Sequence, residues 1–367
     1  MAAQADRAYM ERALQLAARA RGKTSPNPMV GAVLVKDGSV IGEGFHRRAG
    51  DDHAEVAAIK SAGSDAAGAT LYVTLEPCCH VGRTGPCADA VIAAGVRRVV
   101  IAMQDPDPRV RGRGARKLRA AGLDVTVGLL REQSRRLNET FVAFHTLGRP
   151  FVTLKIAQSL DGRIATAIGD SRWITGPQSR TLGHALRAQH DGIVVGMGTV
   201  RSDNPSLTVR HVRGRNPFRI VVASHLRFPK ACTLLTKNND HRTIIASTED
   251  QIQRFSRRSP NHNLTYWNVR AARSGLIDLK DLLSEAAAFG LRSVLVEGGA
   301  SLATSFLKSG LVDKVVVMMA PRIIGDGVEA VGDLGIRALN RAVALERVTV
   351  TRAGDDAVIT GYVRKRK

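Results

Sequence analysis

The chain has 367 residues, 44% of them hydrophobic and 24% charged. This length favours two domains with separate cores, and this composition excludes a largely disordered chain. The formal net charge of +21 favours anionic partners such as phosphorylated substrates, dinucleotides or nucleic acid, although arginines on solvated helix faces would give the same total.

The first half of the chain alternates predicted helices and strands, which indicates a layered α/β domain. An amphipathic helix around residues 9–17 precedes a hairpin whose strands, 30–35 and 40–44, are joined by an Asp-Gly turn. The next segment predicts a helix with an acidic cap and with His53 and Glu55 on its first turn. The other predicted elements are strands at 69–75, 96–103 and 124–128, a helix at 87–94, an arginine-rich helix within 109–119 and a loop at 82–86.

The segment 147–150 is the predicted linker, because Gly and Pro interrupt the chain there and a fresh apolar strand follows at once. We therefore expect one domain over residues 1–147 and a second over 148–367. The second half again alternates strands and helices and should close with an antiparallel hairpin at a sheet edge. Its predicted elements are strands at 151–157, 192–200, 218–223, 243–246, 293–296, 314–319, 344–351 and 357–363, a helix at 278–289 and a short helix from Ala300.

The cysteines and the apolar runs indicate in which cellular compartment the protein is expected. The most apolar runs, such as 315–320, have the length of strands, so no membrane span is expected. Three of the four cysteines cluster at Cys78, Cys79 and Cys87, with Cys232 apart, and no secretion signal accompanies them. That pattern favours metal or thiol chemistry in a reducing compartment over disulfides, and a cytoplasmic enzyme is expected.

His53, Cys78 and Cys87 form a candidate metal site. Zinc favours thiolate and imidazole ligands, and a catalytic zinc site keeps three protein ligands and one open position. Glu55 lies two residues after His53 and is well placed to accept a proton from water. His-x-Glu together with Pro-Cys is the pattern of the zinc deaminases, in which the glutamate acts as general acid and base.

The ligand set has alternatives. The usual second element is Pro-Cys-x-x-Cys, whereas eight residues separate Cys78 from Cys87. Cys79 competes with Cys78, but adjacent residues of an extended segment point to opposite sides, so only one of them faces the ion easily. Cys78, directly after the proline, is the better candidate. Structural thiols, or a closed structural zinc site with a fourth ligand, remain as other interpretations.

Six segments of the first half carry a family resemblance: 27–31, 42–46, 53–55, 74–78, 82–87 and 102–106. They resemble the deaminase half of the bifunctional riboflavin-biosynthesis deaminase/reductase family, in which the eight-residue cysteine spacing is usual and serine is commoner at the position of Cys79. The resemblance implies a cytidine-deaminase-like three-layer α/β domain. It also implies that Asn27, His46 and His80 contact the pyrimidine or its chain.

The resemblance continues through segments 154–163, 171–175, 196–200, 203–210 and 296–299. These resemble the reductase half of the same family, an α/β domain similar to dihydrofolate reductase that uses NADPH. The resemblance places at the cofactor Ala157, Trp173, Thr199, Asp203, Ser224, Gly299, Ala300, Ser301, Leu302, Ala303, Thr304 and Ser305. It places at the substrate Ser171, Arg187, Leu207, Arg210 and Glu297.

Physical chemistry supports part of that assignment. Gly298-Gly299 follows a strand and opens a helix, so the backbone can approach a phosphate and the helix N-terminus offers free N–H donors. Arg187 and Arg210 carry guanidinium groups, whose fork suits a phosphate monoester. Lys155 and Asp203 are both candidates for the proton donor of the reduction.

The resemblance implies two consecutive reactions. The first is the zinc-dependent hydrolytic deamination of 2,5-diamino-6-(5-phosphoribosylamino)pyrimidin-4-one. The second is the NADPH-dependent reduction of the ribosyl group of 5-amino-6-(5-phosphoribosylamino)uracil to ribityl. The expected partner is therefore a small phosphorylated pyrimidine, with no nucleic acid and no membrane, and a homo-oligomer is compatible with the sequence.

Two other hypotheses stay open. A zinc deaminase acting on nucleic acid, with the basic C-terminal half as a binding module, is motivated by the net charge. The aromatic content of 4% and the Gly-Gly element at 298–299 count against it. A protein with one inactive half is the other hypothesis, and the presence of all the deaminase ligands counts against that.

Overall fold

The computed structural model describes residues 2–80, 85–258 and 263–365. The chain divides into two compact units, Met1–Gly148 and Arg149–Lys367. Most of the loop predicted at 82–86 lies outside the described residues. Within the described ranges, no helix combines the length and the apolar character needed to cross a bilayer.

The first unit is built around one mixed sheet. Its elements are α1 (Ala2–Ala18), β1 (Gly31–Lys36), β2 (Ser39–Phe45), α2 (Ala54–Ala62), β3 (Thr70–Val73), α3 (Cys87–Ala93), β4 (Arg98–Ile101), α4 (Arg113–Ala120), β5 (Asp124–Val127), α5 (Arg131–Leu137) and α6 (Glu139–Leu147). The strand order is β2-β1-β3-β4-β5, with β1 antiparallel to both neighbours and β3, β4 and β5 parallel.

Helices cover both faces of this sheet. Ala32 and Leu34 of β1 point into a core that also contains residues of α2, α3 and α4. Val33 and Val35 point the other way and pack with Met10 of α1. Because successive side chains of a strand point to opposite faces, an almost continuous apolar run marks a strand covered on both sides. The predicted three-layer α/β fold of this domain is confirmed.

Two glycines of β2 bring α2 close to the sheet. A Cβ atom on Gly44 would lie 2.4 Å from the carbonyl oxygen of Ala54, and one on Gly42 would lie 2.5 Å from that of Ala58. No side chain larger than hydrogen fits at either position. The start of α2 is therefore fixed against β2, and with it the segment that carries His53.

The predicted acidic cap of this helix is wrong. His53 occupies the N-cap position, and within the described residues its side chain makes no capping hydrogen bond. The acidic residues before it have other partners, since Asp52 pairs with Lys60 and Asp51 with Arg48. The N-cap side chain is thus free to point towards the cysteines.

The second unit is built around a nine-stranded sheet. Its elements are β6 (Phe151–Gln158), β7 (Arg163–Thr166), α7 (Pro177–Gln189), β8 (Gly192–Gly196), α8 (Met197–Asp203), β9 (Phe218–Val222), α9 (Thr233–Thr236), β10 (Thr243–Ser247), α10 (Glu249–Arg258), β11 (Leu264–Asn268), α11 (Leu279–Ala288), β12 (Ser293–Val296), α12 (Ala300–Lys308), β13 (Lys314–Met319), β14 (Gly327–Glu329), β15 (Leu345–Ala353) and β16 (Asp356–Val363).

The sheet is parallel except at one edge. Its order is β11-β10-β9-β8-β12-β6-β13-β16-β15, and the last two strands form the predicted antiparallel hairpin. The strand predicted at 192–200 is partly wrong, because it stops at Gly196 and the chain continues as α8. Met197 and Val200 are both buried, which is the three-residue spacing of one helix face.

Candidate active sites

Three side chains of the first unit converge on one point. The Nδ1 atom of His53 lies 3.0 Å from the sulfur of Cys87 and 3.7 Å from the sulfur of Cys78. All three donor atoms lie within 4.8 Å of one another. The backbone N–H of Cys87 also donates to the sulfur of Cys78, at 3.3 Å. One imidazole and two thiols at this separation suit a single metal ion.

Three local structures bring these ligands together. His53 is the N-cap of α2, Cys78 follows β3 at the carboxyl end of the sheet, and Cys87 is the first residue of α3. The backbone N–H of Ala88 donates to the carbonyl oxygen of Cys78 at 3.0 Å, which joins the two cysteine segments. Ligands at strand ends and helix starts are typical of open α/β sheets.

The chemistry of this donor set fits zinc. A hydrogen bond from the Cys87 thiol lowers the pKa of Cys78 below its ordinary value, which favours the thiolate form that a metal ligand needs. Cys79 is not part of the cluster formed by the described residues. Its sulfur lies 4.0 Å from the carbonyl oxygen of Arg109 instead. The geometry thus favours Cys78 over Cys79.

Glu55 is buried beside the cluster. Its side chain is 3% exposed, and burial raises its carboxyl pKa to about 7. A carboxyl group with this pKa can both accept and return a proton near neutral pH. Its position on the first turn of α2 follows from the fixed start of that helix.

Asn27 and His46 form a polar pair next to His53. The imidazole of His46 lies 5.2 Å from that of His53, edge to face, and its Nδ1 atom is 3.0 Å from the carbonyl oxygen of Asp52. A carbonyl oxygen only accepts, so Nδ1 carries the proton and Nε2 accepts from the Asn27 amide, 3.0 Å away. This arrangement leaves the Asn27 amide oxygen available to a ligand.

His80 is the third predicted substrate contact of this unit. Its Nδ1 atom is buried and finds no hydrogen-bond partner among the described residues. A buried polar atom without a protein partner is uncommon in folded proteins and is consistent with a ligand contact.

Sequence reasoning missed the role of Glu76. This carboxylate is 3% exposed and accepts backbone N–H bonds from Asp105, Gly112 and Ala115 at 3.1, 2.9 and 2.9 Å. It therefore ties the segment after β4 and the start of α4 to the segment that carries Cys78. Its burial is seen only in the structure, and the sequence offers no more than a charged residue directly after an apolar strand, two positions before a candidate ligand.

The second unit contains one large cavity of about 1750 Å³. That volume exceeds the range of about 300–1,000 Å³ typical of small-molecule sites and leaves room for two ligands. Of the residues predicted at the cofactor and substrate, all but one line it: Ala157, Ser171, Trp173, Arg187, Thr199, Asp203, Leu207, Arg210, Ser224, Glu297, Gly299, Ala300, Ser301, Leu302, Thr304 and Ser305. Ala303 does not line it, because its side chain lies on the inner face of α12, in the hydrophobic core.

A charge cluster of low solvent exposure lies in this cavity, with the side chains of Arg187 and Glu297 16% and 8% exposed. Nε and Nη2 of Arg187 donate to the two carboxylate oxygens of Glu297 at 3.0 and 2.7 Å. Burial alone would raise the pKa of Glu297, but the positive charges of Arg187 and Lys155 outweigh it and hold that pKa at about 2. Burial lowers the pKa of Lys155. The cluster therefore holds one carboxylate between two cationic side chains.

The start of α12 fits a phosphate. Gly299 is the N-cap, and its N–H donates to the Thr199 hydroxyl at 3.1 Å. The N–H groups of Ala300 and Ser301 follow in the first turn, where backbone donors have no partner inside the helix. With Thr199 and Ser305, which line the same cavity, they form a polar wall suited to the phosphates of a dinucleotide.

Trp173 presents an aromatic face to the cavity. Its side chain is 62% exposed, although large apolar residues are usually buried, and the Arg180 guanidinium lies 4.7 Å from its ring centre. Its carbonyl oxygen accepts from Arg322 at 3.0 Å, which fixes the backbone. An exposed tryptophan with a fixed backbone on a cavity wall can stack against a planar ring of a ligand.

Two family models match the chain, one in each unit. The model described as the cytidine and deoxycytidylate deaminase zinc-binding region matches residues 3–103. The model described as the RibD C-terminal domain matches residues 150–359.

Curated relatives match over nearly the whole length. Riboflavin biosynthesis protein RibD of Aquifex aeolicus is 43% identical over 355 residues, which cover 96% of this chain and 97% of that protein. RibD of Escherichia coli is 41% identical over 368 residues, covering 96% and 98%.

Solved structures agree with this chain in fold. RibD of Acinetobacter baumannii has a TM-score of 0.89 and 34% identity, over 99% of this chain and 100% of that one. A diaminohydroxyphosphoribosylaminopyrimidine deaminase/5-amino-6-(5-phosphoribosylamino)uracil reductase from Thermotoga maritima has a TM-score of 0.87 and 34% identity, with the same coverage.

The fold and the two sites define a zinc-binding deaminase joined to a reductase. The chain belongs to the RibD family of riboflavin biosynthesis proteins. It is a bifunctional enzyme, a deaminase and a reductase of the riboflavin pathway, and its cofactors are zinc and NADPH. The predicted family, fold class, activities and cofactors are thereby confirmed.

Proposed function

We propose that the first unit carries the deaminase and the second the reductase, with the sites assigned residue by residue as follows. His53, Cys78 and Cys87 hold the zinc ion, and Glu55 is the catalytic acid and base. The observation that carries this assignment is the convergence of one imidazole and two thiols beside a buried carboxyl group. When bound, zinc would lower the pKa of a coordinated water and make it a nucleophile at neutral pH.

Glu55 moves the protons of the deamination. It takes a proton from the attacking water and gives it to the exocyclic amine, which leaves as ammonia while the ring carbon gains oxygen. The raised pKa of Glu55 suits both transfers. The Asn27 amide oxygen and Nδ1 of His80, which has no partner among the described residues, would hold the pyrimidine, and His46 would orient Asn27.

The cavity of the second unit holds NADPH and the phosphorylated substrate together. NADPH supplies the hydride, and its phosphates would rest on Gly299, Ala300 and Ser301 at the start of α12. The remaining cofactor residues, among them Trp173 and Thr199, would follow along the cavity wall.

Arg187 and Arg210 flank the part of the cavity where we place the substrate. Ser171, Leu207 and Glu297 line the same cavity. We assign the substrate phosphate to Arg210, because among the described residues its guanidinium is paired with no carboxylate, whereas that of Arg187 is paired with Glu297. Of the two candidate proton donors we favour Lys155, since burial lowers its pKa and so eases the release of a proton.

NADPH should quench the fluorescence of Trp173. The chain has two tryptophans, and Trp267 is 5% exposed in the core whereas Trp173 lies on the cavity wall. A saturable titration with NADPH should therefore lose most of its amplitude in Trp173→Phe and keep it in Trp267→Phe. Equal quenching in both variants would contradict the placement of the cofactor.

We propose that the enzyme forms homo-oligomers through β15. This strand is the edge of the nine-stranded sheet and exposes Val348 and Val350, which are 49% and 67% accessible. An open strand with exposed β-branched residues favours pairing with a second copy. Light scattering should show a dimer or larger species for the natural chain and a shift to monomer for Val350→Lys. A monomeric natural chain at micromolar concentration would refute this assembly.

We propose a cytoplasmic enzyme without a nucleic-acid partner. All four cysteines are free thiols, and thiol ligands persist in a reducing compartment. Aromatic residues make up only 4% of the chain, so it offers few side chains on which the bases of a single strand could stack.

A further inference from the structure

The loop that carries Arg210 has a strained backbone. Asn204 and Leu207 both adopt positive φ angles, 41° and 52°, although neither is glycine. Asparagine tolerates this conformation, but for leucine it brings the side chain too close to the backbone. Leu207 is nevertheless 2% exposed and packs into the core beneath the cavity. Such a conformation persists only where the surroundings hold it, and it is commonest at functional sites.

Three side chains hold the backbone of this loop. The N–H of Val209 donates to the Asn216 side-chain oxygen at 2.8 Å, and the carbonyl oxygen of Thr208 accepts from Nη1 of Arg187 at 3.3 Å. The N–H of Arg210 itself donates to Nδ1 of His184 at 3.1 Å. The bond from Arg210 to His184 acts directly on Arg210, the residue that we assign to the substrate phosphate.

His184 lies on α7, with its ring on the side of the helix that contacts the loop. It is 6% exposed, lies one helical turn before Arg187, and its ring packs edge to face on His211 with 4.5 Å between centres. A backbone N–H can only donate, so Nδ1 of His184 is unprotonated and its remaining proton is on Nε2. Burial, followed by the charges of Arg187 and Arg210, lowers the pKa of His184 to about 4, which keeps the ring neutral at physiological pH.

The guanidinium of Arg210 is oriented by two hydroxyl groups of its own loop. Its Nη1 atom donates to the Thr208 hydroxyl at 2.9 Å and also to the Ser206 hydroxyl. Both hydroxyls belong to the same loop, so the direction of the side chain depends on where the loop backbone is held. Arg187, His184 and Arg210 all line the cavity.

We propose that His184 is a positioning residue for recognition of the substrate phosphate: by accepting the N–H of Arg210 it fixes the strained loop and aims the Arg210 guanidinium. This inference rests on the proposed function, in which Arg210 binds that phosphate. In this role His184 acts on the substrate phosphate through Arg210.

Two substitutions of His184 distinguish the contribution of its acceptor atom, Nδ1, from that of its planar ring. His184→Phe keeps a planar ring against His211 and removes the acceptor, whereas His184→Asn places an amide oxygen where Nδ1 lies. We expect His184→Phe to raise the KM for 5-amino-6-(5-phosphoribosylamino)uracil about tenfold, because the N–H of Arg210 loses its acceptor and the loop is no longer held there. The kcat and the KM for NADPH should stay at their natural values, and His184→Asn should restore the KM for the pyrimidine.

A double-mutant cycle with Arg210→Ala tests whether His184 changes the KM for the pyrimidine through Arg210. His184→Phe should add nothing to the KM of the Arg210→Ala variant, and it should leave the KM for the dephosphorylated substrate unchanged. An unchanged KM in His184→Phe, or an equal rise with both substrates, would overturn the inference while leaving the proposed function intact. An unchanged KM in Arg210→Ala would instead overturn the phosphate role of Arg210.

Folding is checked in the same samples. Thermal unfolding followed by the fluorescence of Trp173 and Trp267, which both lie in the second unit, identifies a variant whose second unit has lost its structure, and in that case His184→Leu replaces His184→Phe with the same expected result. A natural KM for the pyrimidine in a folded His184→Leu variant would overturn the inference, as it would for His184→Phe.

Discussion

Glu55→Gln should lower ammonia release by about 10²–10⁴-fold, the usual contribution of a positioned acid and base. The glutamine keeps the shape of the buried side chain but can neither take a proton from water nor return it to the amine. The same variant should reduce 5-amino-6-(5-phosphoribosylamino)uracil with NADPH at the natural rate. Ammonia release and NADPH oxidation, assayed separately on one preparation, check both parts.

Glu132→Gln is the matched control for that variant. Glu132 lies on α5 of the same unit, is exposed, and is remote in sequence from the zinc ligands. Both activities should survive in it. If Glu55→Gln lost NADPH-dependent reduction as well, in a protein that still unfolds cooperatively, the two sites would not be independent.

Glu297→Leu should destabilise the second unit by up to about 3–5 kcal/mol, because it leaves Arg187, whose side chain is only 16% exposed, and Lys155 without their carboxylate. Reduction should be lost with it, and ammonia release should remain. Both tryptophans of the chain, Trp173 and Trp267, lie in the second unit, so their fluorescence in urea reports the unfolding of that unit. An unfolding midpoint equal to that of the natural chain would show that the cluster does not stabilise the unit.

The pH dependence of the same cluster has a definite sign. The folded pKa of Glu297, about 2, lies below its ordinary value of 4.5. A carboxyl group of this kind adds stability above its unfolded pKa and loses that contribution as the pH falls through its folded pKa. The stability difference between the natural chain and Glu297→Gln should therefore shrink from pH 5 towards pH 2. A difference that stays constant over this range would mean that Glu297 is not ionised in the folded protein.

The deaminase site could be predicted from sequence because its residues lie in short motifs at element boundaries. His53 and Glu55 share the start of α2, and Cys78 and Cys87 stand at the end of one element and the start of another. Fixed spacing within a motif fixes relative position once the helix and strand are assigned. Only the choice between Cys78 and Cys79 needed an argument about side-chain direction.

The contacts between distant segments could not be predicted in this way. Glu76 bonds to backbone groups around residue 105 and residues 112–115, and His184 bonds to the backbone of Arg210. Neither contact has a spacing signal, because each joins separate elements through tertiary packing. The helices α7 and α8 were missed for a related reason, since their apolar faces are short and contain glycine, and burial against the sheet decides their conformation.

The most direct test of the account is zinc removal on the purified protein with both activities followed. Before chelation we expect about one zinc per chain, as for a site with three protein ligands. Stripping the metal should abolish ammonia release and leave NADPH oxidation on 5-amino-6-(5-phosphoribosylamino)uracil unchanged, and added zinc should restore the first activity. Loss of both activities in a folded protein, or ammonia release that persists without zinc, would contradict two separate sites with His53, Cys78 and Cys87 as the metal ligands.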